Sequence, residues 1–222
     1  METSTRLCSV AVSRGMEVLA EREADEDRLV HAEKLHGFFD EVLKIAGVSY
    51  TDLSAIAVGI GPGSYTGLRI GLSAAKGLCY ALDTPIIGIG TLEVLCAELQ
   101  QRSAVDPSLE LMPMIDARRM EVFTARHDAS GQAAEEVRAM VLDENSMRVP
   151  IPVLVFGDGA DKAEALWEDH GHVTHVPGVR PMAAALCMLA HRRFQQGAFD
   201  DLAYLVPAYG KPANLTTPRR GA

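Results

Sequence analysis

Apolar and polar positions recur along the chain in two rhythms. Cys8–Val12 reads as a short strand, Gly15 turns the chain, and Glu17–Ala20 reads as the return strand of a hairpin. From His31 to Ala46, Leu35, Phe38, Phe39, Val42 and Ile45 recur at three- and four-residue steps, the apolar stripe of a helix that Gly47 closes. Ser54–Ile60 is an unbroken apolar run, as in a strand covered on both faces, and Gly61-Pro62-Gly63 breaks it. A long helix follows over Tyr65–Leu82. Pro85–Gly90 is a second buried strand, and Thr91 reads as the N-cap of a helix over Leu92–Gln101.

Polar Ser103–Pro107 marks a boundary, after which the order repeats. Leu111–Asp116 and Glu121–His127 read as a hairpin through Ala117-Arg118-Arg119. Val153–Phe156 is a strand, Asp161–His170 a helix and Val173–Val176 a strand. Pro181, at a first helical position, opens a helix that ends before Gly197. Strands alternating with helices predict an α/β fold, and a hairpin opening each half predicts mixed sheets. The expected division is a first lobe over 1–103, a second over 104–210 and a loose polar tail over 211–222.

Composition narrows the function. The 222 residues carry 21 Lys+Arg against 30 Asp+Glu, a formal charge of −9. A domain that grips nucleic acid alone usually reads basic, and 5% aromatics supply no stacking platform. Met1-Glu2-Thr3-Ser4-Thr5 has no basic region or apolar run of a signal peptide, and no stretch is long enough to cross a bilayer. The four cysteines lie far apart without a CxxC pair, as expected of reduced thiols in a cytoplasmic protein.

The segment Gly59-Ile-Gly-Pro-Gly-Ser-Tyr-Thr-Gly-Leu-Arg-Ile-Gly71 follows a strand and opens a helix, as phosphate loops do. It lacks the Gly-Lys-Ser/Thr of a Walker A loop, and Thr66 stands where a dinucleotide fingerprint needs its third glycine. Gly67, Gly71 and Gly77 inside the helix each cost about 1 kcal/mol relative to Ala, so something compensates. Gly67, Gly71, Ala74 and Ala81 fall on one face, and Leu68, Leu72, Ala75, Cys79 and Leu82 form a heptad-like seam beside it. Two readings stay open: a helix buried in a large core, or one packed on a partner protein. His31 and His36 are five residues apart, not the four of a helical metal pair. His170, His172 and His175 read as a solvated turn, and Asp116 and Asp158 as turn caps at strand ends.

These residues carry a resemblance. Glu2-Thr-Ser-Thr5 with Cys8-Ser-Val-Ala-Val12, the Gly59–Gly71 segment, Ala75-Lys-Gly77, Gly90-Thr-Leu92 and Ile115-Asp-Ala-Arg118 with Glu121-Val122 resemble the TsaB (YeaZ) family. The motifs follow in order to about residue 135. The resemblance implies an actin-like (ASKHA, ribonuclease H-like) fold of two similar lobes with mixed sheets flanked by helices. It implies a non-catalytic scaffold in the bacterial machinery that makes threonylcarbamoyladenosine in tRNA, with a catalytic TsaD paralogue and the TsaE ATPase as partners. Contact with tRNA is then indirect, no membrane is involved, and a homodimer forms when the chain is alone. The implied pairing surface is the first two helices: His31, Leu35, Phe38, Phe39, Val42, Gly67, Leu68, Gly71, Leu72, Ala74, Ala75 and Leu78. No catalytic residue, metal or cofactor is implied, and a nucleotide is expected only at the partner interface, with Thr3, Ser4 and Thr5 near it.

Two departures sharpen the picture. Catalytic relatives resemble H-x-E-x-H on the first helix, whereas His31-Ala-Glu33-Lys-Leu35 has Leu in place of the second His. This counts against a glycoprotease-type metallopeptidase, the weakest alternative. A stand-alone actin-like ATPase or kinase is the other, and the missing lysine loop counts against it. The family also begins with apolar residues running into its Glu/Asp-Thr-Ser motif as a central strand. Here Met1 stands directly before Glu2, so three readings stay open: the true start lies upstream, the first strand is cut short, or the lobe tolerates half a strand; a lost strand would leave an open groove in the first lobe's sheet.

Overall fold

A computed structural model describes residues 1–26, 31–143, 146, 151–168 and 170–211. The tail expectation for 212–222 lies outside these residues. The chain opens with strands β1 (Leu7–Arg14) and β2 (Glu17–Asp25), an antiparallel hairpin turned at Gly15 with positive φ. Helix α1 (His31–Ala46) follows, then β3 (Ile56–Gly61), α2 (Tyr65–Leu82), β4 (Ile86–Gly90) and α3 (Thr91–Arg102). β3 and β4 pair in parallel. The expected Thr91 cap is corrected: Gly90 is the N-cap and Thr91 the first helical residue, its hydroxyl buried rather than turned back on the helix end.

The second lobe is a five-stranded mixed sheet in the order β7-β6-β5-β8-β9. Its strands are β5 (Glu110–Asp116), β6 (Glu121–Thr124), β7 (Arg138–Val141), β8 (Val153–Phe156) and β9 (Val173–Val176). The single helix expected over Asp161–His170 is replaced by two turns, α4 (Asp158–Asp161) and α5 (Glu164–Trp167). Ala163, between them, leaves helical geometry with φ −113° and ψ 21°. The last helix, α6 (Ala183–Gln195), starts after Met182 as N-cap, so Pro181 lies outside it.

Although late in the chain, α6 packs on the first lobe. The Ala183 N–H donates to Ser9 Oγ at 3.0 Å and the Ala184 N–H to Glu21 Oε1 at 3.0 Å. Ala185, Leu186 and Ala190 bury Ile87 and Ile89 together with Val94 of α3. On the opposite face of that sheet, Leu35 and Val42 of α1 and Leu72 and Cys79 of α2 pack with Val10 and Val58. The second half thus sends its last helix back beneath the first half's sheet. The second lobe has its own core around Met112, Val122, Val155 and Trp167. A cavity of about 420 Å³ lies in the first lobe between β1 and β3. All four cysteines are free, and burial pushes the Cys8 thiol up to about 11.

Candidate functional site

The glycines of the Gly59–Gly71 segment are explained by the first five residues. Glu2, Thr3, Ser4 and Thr5 are buried. A Cβ on Gly59 would lie 2.1 Å from the Glu2 carboxylate, one on Gly63 2.2 Å from the Ser4 carbonyl, and one on Gly67 2.1 Å from the Thr3 carbonyl. On Gly71 it would lie 2.2 Å from Thr3 Oγ1. Thr3 Oγ1 donates to the Gly67 carbonyl at 2.9 Å, and the Ser64 N–H donates to the Ser4 carbonyl at 2.6 Å. Ser64 also N-caps α2, accepting from the Gly67 N–H at 3.2 Å. Glu2 Oε1 accepts from the Ser4 N–H at 2.7 Å, and burial raises the Glu2 carboxyl above its ordinary value. His31 Nε2 meets the Thr5 carbonyl at 2.8 Å, and burial lowers that imidazole.

Two expectations change here. Gly67 and Gly71 were expected to face a partner helix; instead they admit the chain's own N-terminal segment. Thr3, Ser4 and Thr5 were expected near a nucleotide; all three are buried, Thr3 Oγ1 bonding the Gly67 carbonyl and Thr5 Oγ1 accepting from the Leu7 N–H. Of the other expected pairing residues, His31, Leu35, Phe39, Val42, Leu68, Leu72 and Ala75 are buried inside the chain. Phe38, Ala74 and Leu78 are half-buried and reach the surface.

The surface that α1 and α2 present is a different set of residues. Ile45 is 51% exposed and Tyr80 85% exposed. Gly37 and Gly77 sit in helix interiors, face solvent, and a Cβ on either would have no neighbour within 4 Å. The sequence reading grouped Gly77 with the other helix glycines. Phase separates them: six residues from Gly71 at about 100° each is about 240° around the axis.

Between the lobes runs the C-terminal strap. The Ala208 N–H donates to the Ile60 carbonyl at 2.7 Å, and the Ala208 carbonyl lies 2.4 Å from where a Gly61 Cβ would stand. Tyr209 stacks on Tyr65 at 4.7 Å, Gly210 lies against Phe123 and Pro62, and Lys211 pairs with Glu121. The strap thus fills the space beside the glycine turn. Opposite it, the Asp116 N–H donates to Asp158 Oδ1 at 2.9 Å and the Arg118 N–H to Asp116 Oδ1 at 2.8 Å, the turn-capping role expected of both acids. His175 is not on a solvated turn but bonds Asp161 at 2.8 Å. Among the described residues no group of three or more His, Cys, Asp or Glu side chains could hold a metal, and no helix is long and apolar enough to cross a membrane.

Comparison with known proteins agrees with the motif reading. A family model described as TsaD, tRNA N6-adenosine threonylcarbamoyltransferase, matches residues 25–205. The tRNA threonylcarbamoyladenosine biosynthesis protein TsaB of Escherichia coli K12 is 27% identical over 217 residues, covering 94% of this chain and 92% of that protein. A crystal structure from Pseudomonas aeruginosa, described as similar to the peptidase YEAZ, superposes with a TM-score of 0.80 at 26% identity, covering 95% and 97% of the two chains. YeaZ from the same organism superposes at 0.79 with 25% identity, covering 94% and 96%. The actin-like α/β architecture expected from the motifs is borne out.

Proposed function

Because the chain belongs to the TsaD family and, within it, is one of the TsaB (YeaZ) proteins of tRNA threonylcarbamoyladenosine biosynthesis, we propose that it is the non-catalytic scaffold of that machinery, pairing with a catalytic TsaD paralogue. The observation that carries this reading is the bare helix backbone at Gly37 and Gly77. Each glycine costs about 1 kcal/mol relative to Ala, and no internal contact offsets it. The same two helices carry Ile45 and Tyr80, large apolar groups open to solvent. A partner's helices approaching closely over this face would use both features.

The non-catalytic role is supported at the first helix. Leu35 is buried where a second metal-binding His would stand, and His31 is spent on the Thr5 carbonyl. A net charge of −9 accords with tRNA reached through partners rather than gripped directly. The TsaE ATPase joins the pair, a nucleotide enters only at their interface, and the same face serves a homodimer when the chain is alone. The chain works in the cytoplasm.

The test is Gly77→Leu in the tagged chain co-expressed with the TsaD paralogue. Co-purification should fall at least ten-fold while the melting temperature stays level or rises, since the new side chain enters open space and improves helix propensity. Undiminished pairing overturns the reading, as does a loss of pairing seen only together with a lower melting temperature.

A further inference from the structure

The most exposed large apolar side chains among the described residues are Tyr80 at 85%, Tyr204 at 82% and Val206 at 68%. Tyr80 belongs to α2, the other two to the strap. Lys76 joins these parts of the chain, its Nζ donating to the Ala203 carbonyl at 3.1 Å. Tyr80 stands about one helical turn beyond Lys76, and Tyr204 is the residue after Ala203. The clip thus brings both exposed rings onto one side of the molecule. Apolar groups scattered singly over a surface need no explanation, but three beside the bare backbone of Gly77 form a patch.

The strap is already held in shape. The Asp200 N–H donates to the Ile86 carbonyl at 3.0 Å, and the Leu205 N–H to the Asp201 carbonyl at 2.9 Å. Asp201 Oδ1 accepts from the Ala203 and Tyr204 N–H groups at 2.8 and 3.1 Å. Leu202 and Leu205 pack on the first lobe's core. A ring carried on backbone fixed in this way loses little conformational freedom when a partner covers it.

Charge narrows the partner. The chain has a net charge of −9, yet the 18 residues of α2 include no Asp or Glu and carry Arg69 and Lys76. Lys76 has no carboxylate partner among the described residues. The strap's acids are used within the chain, Asp200 on Arg193 and Asp201 on its own turn. Aromatic groups with few free carboxylates have the make-up of an interface core.

We propose that the strap is part of the pairing surface. Tyr204 and Val206 seat with Tyr80 in an apolar socket of the catalytic paralogue, and a carboxylate of that partner faces Lys76. Lys76 is the positioning residue that holds the strap against α2. The proposal rests on the pairing reading above and adds to it a segment far along the chain from α2.

The test measures the affinity of the full chain for the purified paralogue by biolayer interferometry. Tyr204→Ser combined with Val206→Ser should weaken binding at least five-fold at an unchanged melting temperature, since both side chains lie in solvent in the free chain. Val141→Ser, at an exposed valine of β7, should leave binding unchanged. Lys76→Met should weaken binding and Lys76→Arg should restore it; equal loss in both overturns the positioning role. Benzoylphenylalanine at position 204 should photo-crosslink to the paralogue, and at position 141 should not. A loss below five-fold in the double variant, or no adduct from position 204, overturns the proposal. So does a double variant that changes only the oligomeric state of the chain alone, because the strap would then serve a second copy. If Gly77→Leu abolishes pairing while the double variant binds normally, this proposal falls and the pairing reading stands. If Gly77→Leu leaves pairing intact, the pairing reading falls and takes this one with it.

Discussion

Replacing Gly71 with alanine tests whether α2 owes its glycines to internal packing. The added methyl would stand 2.2 Å from Thr3 Oγ1, more than 1 Å inside ordinary contact. Thr3 is held in place, because its neighbours Glu2 and Ser4 bond the Ser9 backbone and the Ser64 N–H. Relief must come from α2 shifting outward or the Thr3 side chain turning away, and either breaks the 2.9 Å bond to the Gly67 carbonyl. Overpacking of this kind costs up to about 3 kcal/mol, and the lost buried hydrogen bond about 1 kcal/mol. Helix propensity returns about 1 kcal/mol. The net is a loss of about 3 kcal/mol, which for a chain of this size lowers the melting temperature by roughly 6–12 °C. Thr3→Ala removes the clashing oxygen and leaves Cβ at 3.4 Å, so the double variant should melt near wild type. With about 1 kcal/mol lost in Thr3→Ala alone, a double-mutant cycle followed by circular dichroism then gives a coupling of about 4 kcal/mol. If Gly71→Ala raises the melting temperature, or the double variant falls by the sum of the singles, the packing account is wrong.

Burial holds His31 and His127 below the ordinary imidazole range, so both are neutral in the fold. Their contribution is fully present above the unfolded value, about 6.5, and fades as the pH falls through it toward the lowered folded values. Buried Glu2, with its pKa raised, acts in the opposite sense, favouring the fold as it protonates. His127→Gln should therefore flatten the fall of melting temperature between pH 7 and pH 5.5, and an unchanged slope would count against the assignment. Asp200 accepts the Gly88 N–H at 2.8 Å and pairs with Arg193 at 3.2 Å, so Asp200→Ala leaves the Gly88 N–H without its acceptor while Arg193 keeps the Gly88 carbonyl. It should cost about 1–3 kcal/mol in urea unfolding; a change below about 0.5 kcal/mol would show that water replaces the carboxylate.

The elements that periodicity read well were those whose pattern is local. α1 and α2 begin and end where their apolar stripes do, and β8 and β9 match their apolar runs. β7 was missed because Arg138-Ala-Met-Val141 is a short edge strand with no alternation to mark it. The helix over Asp161–His170 was overread because nothing local announces the break at Ala163. The harder failure was at the site. Spacing placed Gly67 and Gly71 correctly on one face of α2, but a face has no address until its neighbour is known. That neighbour is Thr3, more than sixty residues earlier, and no periodicity reports a contact of that range. The composition argument was nonetheless sound: interior helix glycines do require compensation. For Gly67 and Gly71 the compensation is a buried N-terminal segment. For Gly37 and Gly77 the chain offers none. Helix glycines alone cannot distinguish core from interface, whereas the space beside each one does, and Gly77, the position proposed for pairing, stands about a third of a turn around α2 from Gly71.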